Sequence, residues 1–280
     1  MDVHSLIDVI LLAILQGVAE FLPISSSGHL VIFGDLLFGD GQTEQRLDLN
    51  IALHVGTLFS ILVVYRKDLW QLLFQPREWF PIVIATLPIV AIGLTLKQVL
   101  EQAFASPIVA GCGLLMTALL LWLSEWTENK QPSDPSSEES TSQHSLSWKT
   151  ALLIGAFQAM AITPGISRSG STIAGGLMLG LSRAKAARFS FLIAIPAIAG
   201  ACVMEMKDLL LPDETASHVS EGTGISVPVM LIGVLVSFAV GWMTLSWLLK
   251  IVVRCKLAYF SLYCALLGGL VITLSVAGIL

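Results

Sequence analysis

The sequence predicts an all-α integral membrane protein with an inverted-topology repeat, six spanning helices plus two re-entrant helix-loop-helix hairpins. Three observations carry that prediction: the scarcity of charge, the lengths of the apolar runs, and a short motif that occurs twice. Of the 280 residues, 55% are apolar and 12% charged, and mean hydropathy is +0.82. An average soluble domain carries roughly 25% charged residues, so a chain of 30.0 kDa with so few lacks the polar surface to face water. Fifteen Lys/Arg against twenty Asp/Glu leave a net charge of −5, with no basic stripe to meet a polyanion. Nucleic acid is therefore excluded as a partner, and the lipid bilayer takes its place.

Apolar runs at residues 48–65, 80–96, 107–123, 189–206, 227–249 and 257–280 approach the roughly 20 residues that a spanning helix needs. The runs at 6–38 and 148–181 are each interrupted by a polar patch containing Pro and Gly, and their halves are too short to cross. Non-helical backbone at membrane depth survives where protein or a water-filled cavity satisfies its peptide groups. Both runs therefore read as re-entrant hairpins. No Lys or Arg precedes Arg46, so the first run lacks the basic leader of a signal peptide and is expected to belong to the mature protein. Cys112, Cys202, Cys255 and Cys264 show no paired spacing and read as small core residues.

Residues 128–147 are rich in Ser, Pro and acid with little to bury, and read as a cytoplasmic linker. The linker divides the chain into repeats at 1–127 and 148–280. QGVAEFLPISSSGHL from Gln16 aligns without a gap on QAMAITPGISRSGST from Gln158, an offset of 142. That offset also brings each hairpin and its three following spans into register. Three is odd, so the second copy enters the membrane from the opposite face.

Loop charge is consistent with this arrangement. With both termini on the non-cytoplasmic side, the cytoplasmic segments hold Arg66, Lys67, Arg77, Lys130, Lys149, Arg183, Lys185, Arg188, Lys250, Arg254 and Lys256, and the outer ones only Arg46, Lys97 and Lys207. This is the positive-inside bias. Trp70, Trp79, Trp122, Trp126 and Trp148 fall near the expected boundaries and read as interface anchors, while Glu205 lies close enough to a span end to reach the interface. Gly175, Gly176 and Gly180 read as helix-packing positions.

One basic residue, Arg168, remains inside the second hairpin. In the first, Gln16 and Glu20 share a helical face four residues apart, just before Pro23 and the run Ser25, Ser26, Ser27, Gly28, His29. The second offers Ser167, Arg168, Ser169, Gly170, Ser171 and Thr172. An ionisable group in mid-membrane costs about 2.5–3.5 kcal/mol even on the lenient insertion scale, so such groups pair or line a functional cavity. Glu20 and Arg168 are either a structural ion pair between the repeats or an active site. The hydroxyls and free N–H groups of a Ser/Gly turn before a helix suit an anion, and a guanidinium fork matches phosphate oxygens. His54, in the first span, is read with equal weight as facing that cavity or bonding a neighbouring helix.

At these residues the sequence resembles the bacterial undecaprenyl-pyrophosphate phosphatases of the bacitracin-resistance type. Two motifs carry the resemblance: (E/Q)-x-x-x-E followed by F-L-P-[IV]-S-S-[ST]-G-H, here Gln16 to His29, and P-G-x-S-R-S-x-x-T, here Pro164 to Thr172. Gln16 stands where many members carry glutamate, which places more of any metal or proton work on Glu20. The resemblance implies hydrolysis of a C55 polyprenyl pyrophosphate to the monophosphate and inorganic phosphate, recycling the lipid carrier for cell-wall synthesis and conferring bacitracin resistance. It implies a divalent cation, Mg2+ or Ca2+, held by Glu20 with Gln16. Glu20, Ser26, His29 and Arg168 are the expected catalytic residues, and Ser25, Ser27, Gly28, Ser167, Ser169, Gly170 and Thr172 the expected phosphate-binding ones. Two attacking groups stay open: Ser26 with His29 as its base, which is favoured, or His29 activating water or attacking directly. A homodimer is the protein partnership left open. The competing reading is a secondary transporter or lipid flippase, whose usual build is also an inverted repeat with broken helices.

Overall fold

In the bilayer a peptide group has no water to bond, so an apolar chain closes its backbone hydrogen bonds within each segment and becomes helix. The structure, a computed structural model, describes residues 3–38, 43–104, 106–128, 146–210, 226–251 and 256–279, and among these every regular element is helical. The first half contains α1 (Val3–Ala19), α2 (Ser26–Phe38), α3 (Thr43–Val64), α4 (Arg66–Leu73), α5 (Pro76–Thr95), α6 (Lys97–Phe104) and α7 (Pro107–Glu128). The second contains α8 (Trp148–Met160), α9 (Arg168–Met178), α10 (Arg183–Leu210), α11 (Val227–Ile251) and α12 (Ala258–Val276). The segments Arg77–Thr95, Pro107–Glu128, Arg183–Met204, Val227–Lys250 and Ala258–Val276 are each long and apolar enough to cross, and the chain is a multi-pass membrane protein.

Two features go beyond the sequence reading. The run at 48–65 does not end cleanly at a loop: Leu49–Val64 and Arg66–Leu73 meet at a bend of 71°, and only together do they pass as a spanning unit. Nothing in the local sequence breaks the helix as Pro would. Beyond the bend, α4 buries Leu72 while Trp70, Leu73 and Phe74 stay exposed. The short helix α6, between the second and third spans, is also additional to the sequence reading. The linker at 129–145 and the side chain of Glu205 lie outside the described residues.

Each interrupted run is a pair of short helices joined at an irregular tip. Residues 20–25 separate α1 from α2, and residues 161–167 separate α8 from α9. The tips are capped alike. Ser25 Oγ accepts the Gly28 N–H at 3.2 Å and lies 3.2 Å from Ser27 Oγ; Ser167 Oγ accepts the Gly170 N–H at 3.0 Å and lies 3.2 Å from Ser169 Oγ. These are N-caps, in which a serine oxygen satisfies one orphan amide of the helix that follows.

The two tips touch through residues that leave no room for more. A Cβ on Gly28 would stand 2.9 Å from Gly165 Cα, and one on Gly170 would stand 3.3 Å from Pro23 Cβ. Thr117 of α7 holds the second tip from outside, donating to the Gly165 carbonyl at 2.9 Å and accepting the Ser167 N–H at 2.8 Å. One core cluster serves both halves, with Phe21, Ile61 and Leu121 packed among Ile154, Phe191 and Leu245.

The charged ends of several helices converge. Arg183, opening α10, pairs with Glu128 at 2.6 Å and Glu125 at 3.6 Å at the end of α7. Glu125 also accepts the Ala258 N–H that opens α12, at 2.8 Å. Arg188 of α10 reaches Asp68 of α4 at 2.7 Å. The start of α4 and the end of α7 thus meet the starts of α10 and α12.

Candidate active site

The site forms where the first tip meets the second. Glu20 follows the last turn of α1 and keeps its N–H on the Gln16 carbonyl at 2.9 Å, so its side chain projects along the face that carries Gln16. Both residues are buried. The carboxylate has a distinct set of partners at each oxygen. Arg168 Nη2 donates to Oε1 at 2.5 Å. Ser26 Oγ donates to Oε2 at 2.7 Å, Gln16 Nε2 donates to the same atom at 3.0 Å, and His54 Nε2 stands 3.6 Å from it.

Ser26 and Arg168 occupy this position for the same local reason. Each is the first residue of a short helix, one past the capping serine, and each side chain ends on Glu20, Ser26 from the same tip and Arg168 from the other. Their numbers differ by 142, so they are counterparts under the sequence offset. Position 20 has Ile162 as its counterpart, so the carboxylate exists on one side alone.

Two buried polar atoms here have no protein partner: Arg168 Nη1 and Gln16 Oε1. A buried donor without an acceptor costs free energy, and a guanidinium with one arm on a carboxylate and the other free is poised for an anion. Gln16 Oε1, beside a carboxylate, is a hard oxygen donor of the type that Mg2+ and Ca2+ choose.

Other candidates stand elsewhere. His29, expected as the base for Ser26, is 1% exposed and has both ring nitrogens occupied: Nδ1 lies 2.7 Å from the Ser25 carbonyl and Nε2 2.7 Å from the Tyr263 hydroxyl. Ser26 spends its hydroxyl proton on Glu20 instead, so the Ser26–His29 pairing is replaced by Ser26–Glu20. Ser169 donates to the Leu22 carbonyl at 3.0 Å and Thr172 to the Arg168 carbonyl at 2.7 Å, which makes them braces of the tips. Ser25, Ser27, Gly28, Ser167 and Gly170 form the matched caps described above.

Sequence reasoning weighs His54 evenly and gives it no role, and it passes over Thr117 and Tyr263. The signal for His54 is its position one turn after Asn50 in the apolar part of α3. Its Nδ1–H donates to the Asn50 carbonyl at 2.8 Å, which turns Nε2 toward Glu20.

Residues 9–270 match the family model described as bacitracin resistance protein BacA. The chain belongs to this family. Among curated BacA-like relatives, it is 44% identical over 274 residues to an undecaprenyl-diphosphatase of Rhodopirellula baltica, covering 97% of this chain and 99% of the relative. It is 37% identical to the protein of that name from Parabacteroides distasonis, over 94% of this chain and 96% of the relative. A protein named undecaprenyl-diphosphatase 2, from Stutzerimonas stutzeri, is 35% identical over 96% and 98% of the two chains. The match to the BacA model includes both tips, Glu20, His54 and Arg168.

Proposed function

We propose that this BacA-family chain hydrolyses undecaprenyl pyrophosphate to undecaprenyl phosphate and inorganic phosphate in the bacterial inner membrane. That reaction recycles the C55 carrier for cell-wall synthesis, and bacitracin resistance follows from it. The observation that carries the reading is a nucleophile-type hydroxyl, a carboxylate and a guanidinium with one free buried arm, all meeting at Glu20. A structural ion pair accounts for Arg168 Nη2 but leaves Nη1 and Ser26 without a purpose.

In this reading Ser26 Oγ attacks the terminal phosphorus as its proton passes to Glu20 Oε2, the atom it already bonds. The bond from phosphorus to the bridging oxygen breaks, the polyprenyl monophosphate leaves, and water then releases phosphate from the serine ester. Arg168 keeps Nη2 on Glu20 and offers Nη1 to the non-bridging oxygens, fixing the group in line and meeting charge as it develops. His54 Nε2 stands 3.6 Å from the oxygen that takes the serine proton.

A divalent cation, Mg2+ or Ca2+, belongs to this proposal. Glu20 and the unpartnered Gln16 Oε1 are the residues that would hold it. Among the described residues no three His, Cys, Asp or Glu side chains converge, so a cation held by Glu20 and Gln16 would draw its other ligands from substrate and water. When bound, it neutralises phosphate oxygens.

We also propose the two-repeat, inverted arrangement, with both termini on the non-cytoplasmic side. It is supported by the matched caps and by α3 and α7 ending where their second-half counterparts, α10 and α12, begin. The test of the function is phosphate release from a long-chain polyprenyl pyrophosphate by purified protein in detergent. Release that stops with chelator and returns with Mg2+ or Ca2+ is the expected result. No release by the parent protein under any of these conditions overturns the reading.

A further inference from the structure

Ser25 has φ of 69°, the one non-glycine residue with positive φ among those described. The left-handed region is costly for a residue with a side chain, and such a conformation persists only where its surroundings hold it. Its counterpart Ser167 caps its helix with an ordinary extended backbone, φ −67° and ψ 120°. The same cap is therefore built without strain in the second tip, and capping alone does not explain Ser25.

The second tip places its left-handed residue at Gly165 (φ 87°), the counterpart of Pro23, whose ring forbids positive φ, and the tips differ again in the residue four places after the cap. In the first tip it is His29, whose backbone N–H reaches the Ser25 carbonyl at 3.3 Å and whose Nδ1 adds a second bond to the same oxygen at 2.7 Å. In the second it is Ser171, whose hydroxyl donates to the Arg168 carbonyl at 3.1 Å and leaves the Ser167 carbonyl to the backbone N–H. A carbonyl oxygen only accepts, so His29 carries its proton on Nδ1. In the neutral ring Nε2 is then an acceptor, and the Tyr263 hydroxyl, 2.7 Å away, donates to it. The imidazole lies nearly parallel to the Tyr263 ring, 3° between planes and 5.8 Å between centroids, and to Phe33 at 9° and 6.3 Å. Tyr263 sits on α12, so the first tip is fastened to the last helix of the chain.

We propose that Tyr263 is a positioning residue: through His29 it clamps the left-handed Ser25, and the clamp aims Ser26 Oγ at Glu20. The hydrogen-bonded path runs from the Tyr263 hydroxyl to His29 Nε2, and from His29 Nδ1–H to the Ser25 carbonyl, one peptide before Ser26. His29 is accordingly a strut and not the base. The inference rests on the phosphatase reading for its consequence, while the clamp itself is a feature of the tip.

The test uses the full chain in detergent or nanodiscs, with Tyr263→Phe, His29→Asn and His29→Gln. Asparagine places an N–H donor near the position of Nδ1, whereas glutamine places one nearer Nε2. Tyr263→Phe is expected to lower kcat roughly tenfold with KM nearly unchanged, the scale of one lost hydrogen bond. His29→Asn is expected to retain at least about ten times the kcat of His29→Gln, a difference worth about 1.4 kcal/mol. Equal loss in the two variants, neither of which has an imidazole, overturns the strut. Nitrogen-15 NMR gives a second measurement that needs no turnover. His29 should show a protonated Nδ1 and a bare Nε2, with the Nε2 signal moving in Tyr263→Phe. An unmoved signal overturns the clamp, including in a protein that releases no phosphate. If Tyr263→Phe fails to fold, the asparagine–glutamine comparison and the tautomer of the parent protein decide alone.

Discussion

At the scale of single residues, Glu20 is where the chain concentrates its risk. Four side chains from three separate stretches of sequence depend on one carboxylate. Glu20→Gln keeps the shape but removes the charge that Arg168 answers, leaving a largely buried cation uncompensated. Breaking one partner of a buried pair costs about 3–5 kcal/mol. The expected outcome is a lower thermal midpoint together with phosphate release reduced by at least about a hundredfold, the scale of losing one preorganised electrostatic group. Unchanged release in Glu20→Gln would sink the site assignment. Glu20, Ser26 and Arg168 were legible in the sequence because charge and adjacent hydroxyls are conspicuous in a chain with so little polarity. The choice between imidazoles was not. His29 is near Ser26 in sequence, yet an α-helix turns it back onto Ser25. His54 is 34 residues from Glu20 and reaches it through the way α3 packs, which periodicity does not encode.

At the scale of elements, the tips are irregular backbone held by regular neighbours. Thr117 shows how. Its hydroxyl is the acceptor for the Ser167 N–H and a donor to the Gly165 carbonyl, and Gly165 itself has φ of +87°. Close approach at Gly113, where a Cβ would overlap the Pro164 carbonyl oxygen, brings α7 near enough for that bridge. Thr117→Val preserves volume and leaves the Ser167 amide buried without a partner, a cost of about 1–3 kcal/mol. Arg168 is the next residue, so the cost should appear twice: as a lowered midpoint and as weaker substrate binding, with KM rising more than kcat falls. A variant with parental midpoint and KM would show that α7 does not position the second tip. The helices themselves were legible from apolar run length and the broken hairpins from their Pro, Gly and Ser. The apolar run ends at residue 65, where the 71° bend lies, but the helix α4 beyond it was not legible, because Arg66, Lys67 and Asp68 end the hydropathy signal.

At the scale of the whole molecule, charge sorts the chain into ends. The ion pairs Arg183–Glu128 and Arg188–Asp68, with the Glu125 cap on α12, gather α4, α7, α10 and α12 at one end. Residues 66–68, 125–128, 183–188 and 256–258 therefore share a face whichever way the protein sits. Lys130 lies in the linker and Lys149 just after it, and the helix that precedes the linker, α7, ends at that face. The proposed orientation puts this face in the cytoplasm, in keeping with the positive-inside bias, since the face carries Arg66, Lys67, Arg183, Lys185, Arg188 and Lys256. This yields a test that owes nothing to catalysis. Ser140→Cys, placed in the linker, should resist a membrane-impermeant maleimide in intact spheroplasts beyond the background of the parental cysteines, and should label once the membrane is permeabilised. Labelling of the introduced thiol from outside would reverse the orientation of the entire molecule and place the gathered face in the outer compartment. The geometry around Glu20 would survive that reversal, because both tips turn over together.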